Sequence, residues 1–343
     1  MKTLRAGIIG CGRIFPMHAV SIQKTPGVDL VAVCDNKADR AEARAEEFNC
    51  KGYTDYKEMV AAEKLDVVHI CLPHYLHAPA AIYCMENGVN ILTEKPMAIK
   101  LEDARAMIDT AKKHNVVLNC IFQNRYNPGT ILVKENLDNG MLGHIISAKC
   151  SLFWRRTDEY YSTSDWKGTW DKEGGGVIID QAIHTLDLMR YFMNDDIDYI
   201  EANTSRRGHT QIEVEDTAEG AIVYKNGVIT NFHVMNYYSY DADIQIDLDC
   251  SNGRVVLIGD AATIKFRDGK TLFAGPNPKE SFNYGASQSY WGVSHEKQIK
   301  DFYATFQSGK TDYFVDIEEA YKTQAMVCAI YQSGREGKRV TFK

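Results

Sequence analysis

The stretch "AGIIGCGRIF", residues 6–15, joins a short apolar run to a turn that contains two glycines. A buried strand followed by Gly10-x-Gly12 and a helix is typical of the first strand–turn–helix unit of a dinucleotide-binding fold. Glycines permit the tight turn and let the backbone approach a pyrophosphate, which then lies at the helix N-terminus. The pattern is incomplete, because Phe15 replaces its third small residue.

An acidic residue strengthens this interpretation. The next apolar run, "VDLVAVCD", ends in Asp35, about twenty residues beyond the glycines. A carboxylate at that point accepts hydrogen bonds from the adenosine ribose and repels the 2′-phosphate of NADP, so we predict NAD as the cofactor. Lys37 and Arg40 follow closely and could instead meet a 2′-phosphate, which keeps NADP as an alternative.

Strands and helices alternate through the first third of the chain. "LDVVHICLP", "VNILTEKP" and "VVLNCIFQ" are strand-like, and "LEDARAMIDTAKKHN" is an amphipathic helix. Alternation at these lengths indicates a doubly wound parallel sheet. We therefore predict an α/β protein whose residues 1–123 form an N-terminal Rossmann domain.

The pattern changes after about Tyr126. Pairs of strand-like runs then meet at Asn226-Gly227, Asn252-Gly253 and Asp268-Gly269. Asn-Gly and Asp-Gly between alternating runs are strong hairpin signals. Two helical patterns follow, so we predict that residues 124–343 form a C-terminal α+β domain with an antiparallel sheet.

Composition narrows the classes of function. The net charge of −7, without a basic stripe, argues against a nucleic-acid partner. The apolar runs are too short to span a bilayer, and the amino terminus lacks the apolar core of a signal peptide, so we expect a cytoplasmic protein with no membrane partner. Nine cysteines without a Cys-x-x-Cys motif fit scattered thiols, and we expect no metal site.

Ligands of an open α/β sheet bind beyond the carboxyl ends of its strands. Leu72, Pro73 and His77 follow one such strand, although His77 could equally be a helix-start residue with a local hydrogen bond. In "ILTEKPMAI", Glu94 and Lys95 end another strand, where Lys95 would project over the nicotinamide end of the site or form a solvated salt bridge. The residues that we predict to contact the cofactor are Gly10, Gly12, Arg13, Ile14, Asp35, Leu72, Pro73, His77, Glu94, Lys95 and Gln123.

A second unusual stretch is "GGGVIIDQAIHTLDLMRYF", Gly174 to Phe192. Its apolar residues suit a buried helix, yet it carries Asp180 and His184 one turn apart. Residues four apart share a helix face, so these two side chains should point the same way. A carboxylate favoured by the helix dipole, with a locally satisfied histidine, would explain the pair equally well.

The combination of "GIIGCGRI", "CLPHYLH", "EKP" and "GGGVIIDQAIHTLDLM" resembles the glucose–fructose oxidoreductase and inositol dehydrogenase (Gfo/Idh/MocA) family. The resemblance runs over nearly the whole chain in the same order. It implies a Rossmann domain followed by a domain with a large, mostly antiparallel sheet that often forms oligomer contacts. A homodimer or homotetramer is therefore expected.

The resemblance also implies that Lys95, Asp180 and His184 are catalytic and face one another across the domain cleft. Oxidation of a secondary alcohol requires a base for the hydroxyl proton, and a histidine suits that role. Lys95 would stabilise the developing alkoxide, and Asp180 would orient the pair or relay a proton.

Aromatic and cationic residues crowd the stretch before the glycines, "CSLFWRRTDEYYSTSDWKGTWDKEGGG". We predict that Arg155, Trp166 and Lys167 contact the substrate, and the resemblance implies that Trp166 and Lys167 contact the cofactor or the substrate. An aromatic cluster that packs under a long loop is an equally common alternative. The expected function is an NAD(P)-dependent oxidoreductase acting on a secondary hydroxyl of a sugar, glycoside, sugar nucleotide or inositol. A catalytically silent NAD(P)- or sugar-sensing protein and a sugar–sugar oxidoreductase with a tightly bound cofactor are the alternatives.

Overall fold

The computed structural model describes residues 3–282 and 289–342. Within them, the first sheet contains β1 (Leu4–Ile9), β2 (Val28–Cys34), β3 (Lys51–Tyr53), β4 (Val67–Ile70), β5 (Asn90–Thr93) and β6 (Leu118–Cys120). The helices between these strands are α1 (Phe15–Gln23), α2 (Ala38–Glu47), α3 (Tyr56–Glu63), α4 (His77–Glu86) and α5 (Leu101–His114).

The chain continues with α6 (Pro128–Asp138), β7 (Ile145–Phe153), α7 (Asp158–Ser162), α8 (Ile183–Met193) and β8 (Ile197–Ser205). Three strand pairs follow: β9 (Thr217–Tyr224) with β10 (Ile229–Met235), β11 (Gln245–Cys250) with β12 (Gly253–Ile258), and β13 (Ala261–Phe266) with β14 (Thr271–Ala274). The last described elements are α9 (Ser289–Ser308), α10 (Ile317–Glu336) and β15 (Val340–Thr341).

The first sheet is the predicted doubly wound parallel sheet. Its strand order is β3-β2-β1-β4-β5-β6, and every pair is parallel. β4 is buried along its whole length, as expected of a strand covered by helices on both faces. The order reverses between β1 and β4, and this switch point is where such sheets bind ligands. β3 was not predicted, because three residues carry no periodic signal.

The second sheet has nine strands in the described residues, in the order β14-β13-β12-β11-β7-β10-β9-β8-β15. All three predicted hairpins are present, and the α+β fold with a mostly antiparallel sheet is confirmed. The exception is the parallel pair of β7 and β10 in the middle. β7, β8 and β15 lacked turn signals and were not predicted.

Internal contacts divide the described residues into two compact units. The first lies within Met1–Gln123 and Lys279–Lys322, and the second within Asn124–Pro278 and Thr323–Lys343. The division after Gln123 coincides with the expected domain boundary. The contiguous range 124–343 does not match the second unit, because α9 packs against α1. One link between these helices is the 2.7 Å ion pair of Lys24 and Glu296.

The buried helix predicted behind the three glycines also differs in detail. Gly174 and Gly175 have φ values of +84° and +152°, which interrupt helical geometry. The backbone then forms one π-helical turn, Ile178–Ala182, before α8 begins at Ile183. Asp180 lies inside the π turn, and His184 lies in the first turn of α8. Such turns occur frequently at functional sites.

Helix α8 is fixed in the second unit by a buried ion pair. The Arg125 guanidinium donates two hydrogen bonds to the Asp187 carboxylate, at 2.8 and 2.7 Å. The hydroxyl of Thr323 donates to the same carboxylate at 2.6 Å. Burial opposes ionisation of Asp187, but the charge of Arg125 outweighs it and lowers the pKa of Asp187. Asp187 is therefore fixed within this unit by a buried ion pair and a further hydrogen bond.

Candidate functional site

The glycine turn after β1 leaves room for a ligand. Gly10 has a φ of +101°, and a Cβ there would lie 2.3 Å from the Cys71 carbonyl oxygen, so only glycine fits. A Cβ on Gly12 would meet nothing within 4 Å. The backbone at Gly12, just before α1, is therefore open on the side where a pyrophosphate would approach. These residues fit a dinucleotide.

Asp35 is buried at the end of β2 and is held by the same turn. Its carboxylate accepts hydrogen bonds from the amides of Cys11 and Lys37, both at 3.0 Å. The Arg40 guanidinium lies 3.4 Å from it. The orientation of Asp35 is thus set by backbone groups on both sides, as a ribose acceptor requires. Arg40 pairs with this carboxylate. Its positive charge is therefore partly neutralised and is less available to bind a 2′-phosphate.

His77 contacts the backbone of two segments in the predicted cofactor site. Its side chain is wholly buried, and its ring nitrogens lie 2.7 Å from the carbonyl oxygens of Leu72 and Pro96. Burial lowers the pKa of His77. The ring links the turn after β4 to the segment after β5.

Glu94 is also buried, and both of its oxygens accept hydrogen bonds. His18 Nε2 and His295 Nε2 lie 2.9 and 3.2 Å from Oε1, and the Lys95 amide donates to Oε2 at 3.2 Å. Burial opposes ionisation, but the two histidines outweigh it and hold the pKa of Glu94 well below its usual range. Glu94 therefore anchors the backbone of Lys95, whose side chain is half-buried.

The other predicted cofactor residues lie in the same unit. Arg13 is exposed in the glycine turn, and Ile14 precedes the first residue of α1. Gln123 is buried at the start of a 3₁₀ turn just beyond β6.

In the second unit, Asp180 is the centre of a polar cluster. Its Oδ2 lies 2.8 Å from Lys167 Nζ and 2.6 Å from the Tyr160 hydroxyl, and the Gln181 amide also donates to it. Burial and the charge of Asp180 raise the pKa of Tyr160 well above its usual value, so the phenol keeps its proton and donates it. Lys167 Nζ also lies 4.7 Å from the ring centroid of Trp166. The structure thus brings together Asp180, Lys167 and Trp166, with the unpredicted Tyr160 among them.

His184 and Arg155 are the other two predicted residues in this unit. His184 is half-buried in the first turn of α8. Arg155 is exposed, and its backbone amide donates to Asp241 at 2.7 Å. No contact of the Arg155 side chain with the Asp180 cluster is present in the described residues.

Two buried glutamates support the cluster, and sequence reasoning missed both. Glu173 accepts a hydrogen bond from the Gly168 amide, and its other oxygen lies 3.8 Å from Lys167 Nζ. Glu215 accepts from the amides of Gly176 and Ile178. Burial, with the nearby charge of Asp180, raises the pKa of Glu173 to about 8. Burial raises the pKa of Glu215 to about 7.

Close contacts explain two of the three glycines. A Cβ on Gly176 would lie 1.9 Å from the Glu215 carbonyl oxygen, and one on Gly175 would lie 2.0 Å from the Tyr331 hydroxyl. The loop packs so closely that no larger residue fits at either position. No local signal could have predicted Glu215, which is 39 residues from Gly176 in the sequence.

In residues 3–282 and 289–342, no group of three or more His, Cys, Asp or Glu side chains could hold a metal ion. None of the helices in this part of the chain is long and apolar enough to cross a membrane.

Family models match both units of the sequence. Residues 4–122 match the oxidoreductase family with an NAD-binding Rossmann fold, and residues 130–256 match the GFO/IDH/MocA C-terminal domain. The D-glucoside 3-dehydrogenase of Escherichia coli is 30% identical over 98% of this chain and 97% of its own length. The myo-inositol 2-dehydrogenase of Thermotoga maritima is 26% identical over 74% of each chain.

A solved structure agrees with these matches. The WlbA dehydrogenase from Bordetella pertussis, in complex with NADH and UDP-GlcNAcA, is 26% identical. Its TM-score is 0.86, and the alignment covers 100% of this chain and 99% of that one.

The fold and the glycine turn define an NAD-dependent oxidoreductase with a Rossmann domain. The chain belongs to the Gfo/Idh/MocA oxidoreductase family, as its sequence motifs indicated.

Replacement of Glu173 by Gln should make stability less dependent on pH. The folded protein keeps Glu173 protonated up to about pH 8, whereas an unfolded chain loses that proton near pH 4.3. Between these values the folded state binds more protons, so this group's contribution to stability falls as pH rises. We expect Tm to decrease between pH 6.5 and pH 8.5 less steeply in Glu173→Gln than in the wild type. The exposed control Glu159→Gln should keep the wild-type slope, and identical slopes in all three proteins would contradict the assignment.

Proposed function

We propose that this protein transfers hydride between a secondary hydroxyl of a sugar-like substrate and NAD. The observation that carries the proposal is the Asp180 carboxylate, held by Lys167 and Tyr160, one helical turn before His184. A fixed negative charge four residues before His184 in the sequence would favour this half-buried histidine as a proton acceptor. NAD, when bound, accepts the hydride that leaves the substrate carbon.

Three residues carry the proposed chemistry. His184 takes the hydroxyl proton as the carbon–hydrogen bond breaks, so that the alcohol becomes a ketone and the proton stays on the imidazole. Lys95 donates a hydrogen bond to the reacting oxygen and stabilises its developing negative charge. Asp180 orients His184 and stabilises the imidazolium that forms. The Tyr160 and Lys167 contacts hold this carboxylate in place.

A pyranose ring is the substrate class that we propose. Trp166 and Tyr160 offer aromatic faces beside the Lys167 cation, which suits stacking on a ring together with hydrogen bonds to hydroxyls. The names of relatives support the same class, since one is a D-glucoside 3-dehydrogenase and another was crystallised with UDP-GlcNAcA. Glucosides and nucleotide-linked sugars are therefore the first substrates to test, with inositols next.

A homo-oligomer and a cytoplasmic location are further proposals. Phe273 and Ile258 are 70% and 48% exposed, and Ile229 is 46% exposed. Strand register places all three on one face of the nine-stranded sheet. Exposed apolar residues on one face favour self-association. Light scattering should give a dimer or tetramer mass, and a monomer mass would contradict this.

The cysteines are thiols, which is typical of a reducing compartment.

Replacement of Lys95 by Ala tests the proposed chemistry. With the best substrate from a panel of glucosides, UDP-sugars and inositols, kcat/KM should fall by roughly 10²–10³, as for loss of an oxyanion donor. The affinity for NADH, measured by fluorescence, should change by less than several-fold, because the lysine is aimed at the reacting oxygen.

Lys100→Ala is the matched control, because Lys100 is an exposed lysine just before α5. It should leave both quantities unchanged. If Lys95→Ala kept more than a tenth of wild-type activity, the role proposed for Lys95 would be wrong.

A further inference from the structure

A chain of buried polar side chains runs beneath the end of β5 in the first unit. The Tyr303 hydroxyl lies 2.8 Å from His69 Nε2, and His69 Nδ1 lies 2.8 Å from His18 Nδ1. His18 Nε2 then lies 2.9 Å from Glu94 Oε1. All four side chains are buried. We call these four side chains the buried polar chain. It links α9, β4 and α1 to Glu94, the residue that follows β5.

One arrangement of protons satisfies every contact in this chain. Glu94 is ionised and only accepts, so His18 Nε2 must carry a hydrogen. Burial lowers the pKa of His18, which leaves Nδ1 of the neutral ring as an acceptor. His69 Nδ1 therefore donates to it. Burial holds the pKa of His69 well below its usual value, so His69 Nε2 accepts from the Tyr303 hydroxyl.

The ionisation of Glu94 depends on these donors. Burial by itself favours the neutral acid, and the hydrogen bonds from His18 and His295 reverse that preference. The titratable groups around Glu94 are His18 on α1, His69 on β4, Cys71 after β4, His77 on α4, Lys95 after β5, and His295 and Tyr303 on α9. Loss of His18 would remove a donor that none of the other side chains replaces at the same distance.

We infer that His18 and His69 are positioning residues for the reaction: they hold Glu94 ionised and in place, and Glu94 fixes the Lys95 amide. Both histidines are fully buried, so they act through Glu94 and touch neither substrate nor cofactor. The inference rests on the proposed role of Lys95. It predicts that the buried polar chain affects activity through the charge of Glu94, and not only through the stability of the folded protein.

The test is the pH dependence of kcat in His18→Phe, which keeps an aromatic ring but removes the donor. Without that donor the pKa of Glu94 rises, and Glu94 becomes protonated at a higher pH than in the wild type. The ratio of variant to wild-type kcat should therefore fall at least fivefold between pH 8 and pH 6. The NADH affinity should stay within threefold. A ratio that is constant over this range would overturn the inference.

Two matched variants distinguish a positioning role of His18 from a general effect on the stability of the protein. His18→Gln retains a donor toward Glu94 and should restore a constant ratio. Ser21→Ala removes another buried hydrogen bond on α1, from the Ser21 hydroxyl to the Met17 carbonyl, and should lower Tm while keeping the ratio constant. If Ser21→Ala showed the same dependence on pH as His18→Phe, general loosening of the helix would be the cause and the inference would fail.

Two further measurements complete the test. If His18→Phe does not fold, nitrogen-15 NMR of the wild type decides: His18 must carry its hydrogen on Nε2 and His69 on Nδ1, and the opposite tautomers would overturn the inference. Lys95→Ala, assayed in parallel, separates the two proposals. If it is inactive while His18→Phe has the wild-type profile, only the positioning role is wrong. If it is active, the proposed function of Lys95 is wrong.

Discussion

The approach of the first glycine turn to the end of β4 is the constraint on which the cofactor side of the protein depends. Gly10 lies so close to the Cys71 carbonyl that a methyl group would overlap it. The next residue, Cys11, donates its amide to the Asp35 carboxylate, so the turn and this side chain are held together. Because backbone amides already fix the carboxylate, little side-chain entropy would be lost on binding. The first unit thus presents a preformed surface for NAD.

In the second unit, the partly buried carboxylate of Asp180 must be stabilised by its neighbours. The Asp180 carboxylate forms an ion pair with Lys167 and accepts hydrogen bonds from two neutral donors, Tyr160 and Gln181. The second carboxyl nearby, Glu173, keeps its proton at neutral pH because burial and the charge of Asp180 raise its pKa to about 8. Removing one partner of a buried charge pair is strongly destabilising. Asp180 and Glu173 therefore differ in their surroundings, although both lie close to Lys167.

The sequence predicted those features that depend on local chemistry. Gly227 and Gly269 have positive φ in two of the three hairpin turns, and the glycine turn before α1 has its own local pattern. Features that depend on partners far along the chain were not predictable. His295, 201 residues from Glu94, and Glu215 illustrate this, because no local pattern links them to their partners. The π turn around Asp180 was missed for a related reason, since an apolar run followed by α8 has the periodicity of one continuous helix.

Isotope transfer tests the central claim most directly. The protein would be incubated with NAD and the best pyranose substrate, deuterated at its ring carbons, and the nicotinamide product would be examined by NMR. Direct hydride transfer predicts one deuterium on C4 of the NADH formed, together with a ketone at the ring carbon that lost it. Oxidised sugar with no deuterium in the nicotinamide, or no oxidation of any pyranose in the panel, would contradict the account.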